Sequence, residues 1–193
     1  MTDSGASRTN RLMSVAKEAI ASGMKVLAVM PRAKNPDIRF SPNGLNSATG
    51  SLKEVKRWLK QDDQINLAAS LKDSGICVVD VDGGDGEESL RRLSNIPRTR
   101  KTITRNGTHR FYKYEGDLGG SIIKYAPDLD FIISGYVMLP VSRHPDGGLY
   151  TSADFSSPIA EMPTKLVNAM WTCNGFVPVT DLIMPPWLRM RAG

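Results

Sequence analysis

The chain has 193 residues, enough for one domain with a substantial core, and 40% of them are hydrophobic. No run approaches the ~18 apolar residues of a membrane span, and the opening stretch from Met1 to Arg11 lacks the apolar core of a secretory leader. A cytoplasmic protein with no membrane partner is therefore expected. The two cysteines, Cys77 and Cys173, have no cysteine or histidine at zinc-ligand spacing, so both are expected as reduced thiols without a structural zinc site.

The net charge of +5 is unevenly spread. Between Arg91 and Lys113 stand eight basic residues, Arg91, Arg92, Arg98, Arg100, Lys101, Arg105, Arg110 and Lys113, and no acidic one. Such a block can attract a polyanion; a solvated basic face is the alternative. Its place beside the residues described below favours nucleic acid.

In chain order, residues 1–10 read as a flexible polar lead. Leu12, Val15, Ala16, Ala19 and Ile20 then fall at helical spacing, with Gly23 as a stop. Lys25–Met30 reads as a buried strand closed by Pro31. Arg32–Gly50, rich in Pro, Asn, Gly and Ser, reads as a long loop of the kind that often carries function. Ser51 and Glu54 form a capping box that opens a helix with Val55, Trp58 and Leu59 on one face. Ile65–Ser70 and Ile76–Val81 are strands, and a short helix around Glu87–Leu93 follows the glycines Gly83, Gly84 and Gly86. Thr102–Arg105 and Thr108–Tyr114 flank Asn106-Gly107, a strong hairpin signal. Leu129–Ile133 and Tyr136–Leu139 look like the next pair, and Leu149–Thr151 like a short last strand. Pro163 opens a helix to about Trp171, and the tail beyond has no clear period. Helices and strands first, then mostly hairpins, predict an α+β protein on a mixed or antiparallel sheet.

The most informative run is Val78-Val79-Asp80-Val81-Asp82-Gly83. Alternation along a strand puts Asp80 and Asp82 on one face, with Cα atoms about 6.5 Å apart. Two carboxylates so placed repel unless a cation lies between them, and they suit Mg²⁺ or Mn²⁺, which use few protein oxygens together with substrate phosphates. That chemistry is phosphoryl or nucleotidyl transfer. An acidic exit into an Asp-Gly turn is the plainer alternative. A helix-loop-helix calcium site starting at Asp80 fails, because Asp85 and Arg91 stand where Gly and a carboxylate are required. A phosphatase of the haloacid dehalogenase type stays open, although its Asp-x-Asp strand belongs near the N-terminus.

The chain has two histidines. His109 follows the Asn106-Gly107 turn and could donate to a phosphate oxygen, or could be an ordinary strand histidine. His144 lies in a loop with Ser142 and Arg143, a grouping that suits an anion or simply a turn.

Taken in order, these segments resemble the prim-pol branch of the archaeo-eukaryotic primase superfamily. The resemblance runs from about Gly23 to Pro163. It rests on the strand ending at Pro31 with Lys34 nearby, Gly44-Leu-Asn-Ser-Ala-Thr49, Asn66-Leu67, Val79-Asp-Val-Asp-Gly83, Thr104 through Gly107-Thr-His109 and Phe111-Tyr112, Leu129-Asp130, Gly135-Tyr-Val137, Pro140-Val-Ser-Arg-His144 and Gly148-Leu-Tyr150. No single piece is specific; their order is.

The resemblance implies a split palm, in which an RRM-like antiparallel or mixed sheet carries the carboxylates beside a smaller N-terminal αβ unit. It implies a catalytic domain over 11–172, with a tail at 173–193. Asp80, Asp82 and Asp130 would be the catalytic residues and the ligands of two Mg²⁺ or Mn²⁺ ions. His109, Ser142, Arg143, His144 and Lys34 would bind the nucleotide, and Arg98, Arg100, Lys101, Arg105 and Arg110 the nucleic acid. The implied activity is template-dependent nucleotidyl transfer in DNA replication or priming. Single-stranded or primed DNA, ribo- or deoxyribonucleoside triphosphates and a separate replicative helicase would be its partners. A non-catalytic DNA-binding replication protein of the same shape, or a metal-dependent nuclease or phosphatase, are the alternatives.

Overall fold

The computed structural model describes residues 7–93, 95–116 and 122–173. Most of the expected polar lead and all but the first residue of the expected tail lie outside these limits. Helix α1 (Arg8–Ala21) starts earlier than its apolar spacing indicated, because the Ser7 hydroxyl accepts from the Asn10 amide and caps it. Strand β1 (Lys25–Val29) follows. The long loop after it, with a 3-10 turn at Gly44–Ser47, is pinned along the outer edge of β1. The Asp37 amide donates to Ala28 O at 3.0 Å, and the Ala28 amide to Ser41 Oγ at 3.2 Å. The buried Asp37 carboxylate accepts from Arg39, which also reaches Asp62 at 2.7 Å. The loop thus covers a sheet edge that would otherwise be bare.

Helix α2 (Leu52–Gln61) begins at the expected cap, Ser51 Oγ accepting from the Glu54 amide, and buries Val55, Trp58 and Leu59. Strand β2 (Asn66–Ser70) pairs antiparallel with β1, and its other edge takes β8 (Tyr136–Met138), giving a small antiparallel sheet β1-β2-β8.

The larger sheet is built around β3 (Ile76–Asp82). Helix α3 (Gly83–Arg92) leaves β3 at once, through Gly83 at φ +57°. It starts nearer the strand than expected because Gly86 has no side chain. A Cβ there would meet Asp128 O at 2.2 Å. Strands β4 (Lys101–Ile103) and β5 (Gly107–Lys113) form the expected hairpin, and β6 (Ile122–Ala126) and β7 (Leu129–Ile132) form another. The order is β4-β5-β3-β7-β6, all antiparallel, and short β9 (Ala160–Glu161) extends it by parallel pairing with β5. Helix α4 (Thr164–Cys173) closes the described chain.

The expected pairing of Leu129–Ile133 with Tyr136–Leu139 is not formed. At Ser134-Gly135, with Gly135 at φ +104°, the chain crosses from the large sheet to the small one, so β7 pairs with β3 and β6 while β8 pairs with β2. Around Thr151 there are only isolated bridges to Ile103 and, from Leu149, to Arg143.

The whole is α+β, with four helices and largely antiparallel sheets among the described residues. Alternation along β3 separates two apolar layers. Ile76 and Val78 join Leu12, Val26, Trp58, Leu67 and Phe111 between the sheets and α1 and α2. Cys77, Val79 and Val81 join Leu90, Phe131, Leu166 and Met170 under α3 and α4. No helix among the described residues is long and apolar enough to cross a membrane.

The Gly86 approach gives a matched pair of variants. Gly86→Ala should destabilise the protein by about 2 kcal/mol or more, because the carbonyl it meets is backbone and cannot swing away. Gly84→Ala, with nothing within 4 Å of the added carbon, should change stability by less than about 1 kcal/mol. Urea unfolding of both variants checks the contrast.

Candidate active site

Asp80 and Asp82 continue the β3 face that carries Ile76 and Val78, beyond the point where apolar packing ends. Register then decides what stands beside them. Asp80 is opposite His109 on β5 and opposite Asp130 on β7; Thr102 on β4 pairs with His109, and Lys124 on β6 with Asp130. Paired residues share a face, so Thr102, His109, Asp80, Asp130 and Lys124 form one row across five strands.

The end of β3 is held from both sides. The Asp82 amide donates to Asp128 O and the Gly83 amide to Asn106 O, both at 2.8 Å. Gly107 sits opposite Asp82, and a Cβ there would meet Val81 O at 1.8 Å, so only glycine lets the hairpin approach this closely.

A cleft of about 230 Å³ opens over this row. Its floor is Asp80, Asp82 and His109; its far wall is Tyr136, Val137 and Met138 of the small sheet, with Lys34 from the long loop and His144 and Tyr150 from the loop after β8. Lys34 is fixed by its backbone, Tyr136 Oη donating to Lys34 O at 2.8 Å. The Asn66 side-chain amide clamps Arg143 like a strand partner, accepting from its N–H and donating to its C=O, each at 2.8 Å. The next residue, His144, is thereby turned into the cleft. Its Nδ1 accepts from the Asp146 amide at 3.2 Å, which leaves the proton of the neutral ring on Nε2. Asp146 also pairs with Arg105 at 2.8 Å, and Arg105 lines the cleft. Tyr150 lies between the two imidazoles, with ring centroids 6.4 Å from His109 and 5.7 Å from His144.

Electrostatics make Asp80 the stressed member. Burial pushes its carboxyl up to about 7, the neighbouring charges of Asp82 and Asp130 add to this, and Lys34 opposes it. Burial lowers His109 to about 4, with Lys34 contributing, so the ring is neutral near physiological pH. His109 Nε2 is 3.4 Å from Asp80 Oδ1, but that oxygen has no hydrogen-bond partner, and neither do His109 Nδ1 and Thr102 Oγ1. A buried carboxylate oxygen without a donor, facing two further carboxylates, is the environment that a divalent cation relieves. Among the described residues no group of three or more His, Cys, Asp or Glu side chains is arranged to hold a metal ion by itself. The residues therefore fit a cation that draws further ligands from water or substrate oxygens, as Mg²⁺ and Mn²⁺ do.

The model of the bifunctional DNA primase/polymerase N-terminal family matches residues 16–165, which include every element of this cleft. The chain belongs to that family. A search of curated proteins found no match. Membership in the prim-pol family implies nucleotidyl transfer of the primase or polymerase kind, in DNA replication or repair.

Several residues expected at the prim-pol site stand elsewhere. Ser142 is fully buried, its hydroxyl accepting from the Leu67 amide and donating to Leu67 O; it ties the loop to β2 and has no free donor for a nucleotide. Arg143 turns its guanidinium to Gln64 and does not line the cleft. Arg100 is 5% exposed and donates to Ser157 O, Ser22 Oγ and Glu18 O. It fastens the hairpin to α1. Arg110 pairs with Val79 in register and so lies on the α3 face with Lys101; it bonds Glu87, away from the carboxylates. Arg98 is exposed in the segment before β4 and is not part of the cleft.

Sequence reading gave Tyr136, Tyr150 and Lys124 no role. The two tyrosines fall in segments of the family pattern, while Lys124 lies on a strand that went unrecognised.

The raised Asp80 carboxyl sets a pH dependence. The folded chain keeps a proton that the unfolded chain releases near pH ~4, so stability falls as pH rises from there to about 7 and then levels off. Asp80→Asn removes that loss. At about pH 8, without divalent cation, the variant should be more stable than the wild type by on the order of 2 kcal/mol, with little difference near pH ~4. Denaturant unfolding across this range measures it, and equal pH slopes for the two proteins would refute the account.

Proposed function

We propose that this chain joins nucleotides on a DNA template, with Asp80, Asp82 and Asp130 holding Mg²⁺ or Mn²⁺ within a split-palm arrangement of the two sheets. The observation that carries the reading is the cross-strand row His109–Asp80–Asp130, with Asp82 beside it, beneath a cleft that the cationic Lys34 and Arg105 also line. When bound, the divalent ions would supply Lewis-acid activation of a 3′-hydroxyl and neutralise charge on the triphosphate.

The rest of the chemistry belongs to the chain's own side chains. Lys34 and Arg105 reach the cleft from two separate loops and offer positive charge to a triphosphate. His144 presents its Nε2 proton, because Nδ1 is already engaged by the Asp146 amide. His109 enters neutral and can donate through one ring nitrogen at a time, so it orients a phosphate oxygen more than it adds charge. Val137, Met138 and Ile132 exclude water from one side of the cleft. Ser142 and Asn66 support this set from beneath by fixing the loop that carries His144.

A non-catalytic DNA-binding reading draws on one observation, the lack of a self-sufficient metal cage among the described residues. Calorimetric titration with Mn²⁺ separates the two. The catalytic reading expects heat that is lost in Asp130→Asn; a non-catalytic module gives none that depends on the carboxylates.

The decisive experiment incubates the protein with single-stranded template, labelled nucleotides and Mn²⁺, with and without primer, and sizes the products. Asp130→Asn should lower incorporation by about a thousandfold while leaving the fold intact by circular dichroism. His109→Ala should raise the nucleotide KM by about tenfold and leave the primer KM unchanged. Incorporation at the wild-type rate by Asp130→Asn would end this reading.

A further inference from the structure

Asp80 and Asp82 are shared by two clefts. The one described above lies toward β5 and contains Lys34, Arg105, His109 and His144. The second, of about 270 Å³, lies toward β7 and β6 and is lined by Asp80, Asp82, Asp130, Asp128, Lys124, Ala126 and Pro127. The carboxylates are thus a partition, with strongly unlike chemistry on its two sides.

Nucleotidyl transfer needs that geometry. The attacking hydroxyl and the departing pyrophosphate must lie in line on opposite sides of the α-phosphorus. The 3′-oxygen forms a bond to phosphorus, the bond to the pyrophosphate oxygen breaks, and the hydroxyl proton passes to solvent. The cation-lined cleft suits the highly charged triphosphate. The second cleft carries four carboxylates and, among the described residues, one cationic side chain, so it offers a triphosphate less positive charge than the first. It suits a strand end that brings an uncharged hydroxyl to the carboxylates and only one phosphate nearby.

Lys124 is the cationic side chain among the described residues lining that cleft. It is opposite Asp130 in register, at the outer end of the row, and a register irregularity between Lys124 and Ala126 bends β6 beside it. It is exposed, and its side chain has no hydrogen bond or ion pair among the described residues. A lysine left unpaired beside four carboxylates has its charge available for another anion.

We propose that the second cleft receives the 3′ end of the primer and that Lys124 is its primer-binding residue, holding the phosphate next to the terminal sugar. This assignment rests on the reading of the carboxylates as a nucleotidyl-transfer centre.

Steady-state extension by the full chain, with primer and nucleotide varied separately, tests it. Lys124→Ala should raise the primer KM by about tenfold, leave the nucleotide KM unchanged, and lower the salt dependence of primer binding by about one unit of slope. Lys124→Arg should recover most of the loss, because a cation at that place suffices. A lysine that only screens the carboxylates would instead change the Mn²⁺ requirement and leave the primer KM alone, and that result overturns the assignment. A rise in the nucleotide KM with no change for primer overturns it too, by putting Lys124 on the triphosphate side. If the wild-type chain extends no primer at all, the underlying nucleotidyl-transfer reading fails; if it extends normally and Lys124→Ala behaves identically, this assignment alone fails.

Discussion

Side-chain alternation along β3 is the constraint from which the rest of the site follows. The strand uses one face for two purposes: Ile76 and Val78 complete the core between the sheets, and Asp80 and Asp82 continue the same face past the edge of that core. A slip of one residue would put both carboxylates under α3 and α4 and expose Val79 and Val81. The apolar half of the strand therefore fixes the register of its acidic half. Burying Asp80 beside two like charges is unfavourable, and apolar burial along Ile76–Val81 is what holds it there. Gly107 and Gly86 serve the same end by letting the hairpin and α3 close on the tip of the strand without displacing it.

The cleft also needs its second wall at a fixed height above the carboxylates. Three buried polar side chains set that height. Ser142 and Asn66 tie the loop after β8 to β2, and Arg100 ties the β4–β5 hairpin to the end of α1 while packing over the Phe155 ring. Each group is satisfied by backbone or hydroxyl partners, so each fixes a distance as well as adding energy. Arg100 belongs to the basic block that suggested nucleic acid, yet its side chain fastens the hairpin to α1. A rigid frame of this kind is what a transfer reaction requires, since reacting atoms misplaced by about 1 Å cost large factors in rate.

Much of this was legible in the sequence because it depends on short-range pattern. The β3 alternation, the Asn106-Gly107 hairpin and the Ser51 cap are set by neighbours within a few residues, and the α+β class followed from their succession. The placement of Asp130 opposite Asp80 could be approached only through the family resemblance, because strand register is a long-range property. The same limit explains the misread partners. Leu129–Ile132 and Tyr136–Met138 are adjacent in sequence, but Gly135 sends them to different sheets. Strand β6 was missed because exposed Ile122 and Lys124 leave it without a continuous apolar face. A run of basic residues says nothing about faces: on β5, consecutive His109 and Arg110 lie on opposite sides of the sheet.

The distribution of charge follows from that last point. The overall excess of positive charge is a property of the sequence, but a substrate meets only the part that folding leaves beside the carboxylates. In the cation-lined cleft this part comes from loops: Lys34 precedes the edge covering of β1, and Arg105 sits in the β4–β5 turn. Loops supply these groups because the strands beneath are already committed, one face to α3 and α4 and the other to core and carboxylates. On the β6 side the loop residues are Pro127 and Asp128, and among the described residues the only cation lining that cleft is Lys124, carried by β6 itself. The asymmetry between the two sides of Asp80 and Asp82 is thus a consequence of topology: the side near the second sheet gathers cations from two loops, and the side at β6, among the described residues, takes its one cation from the strand.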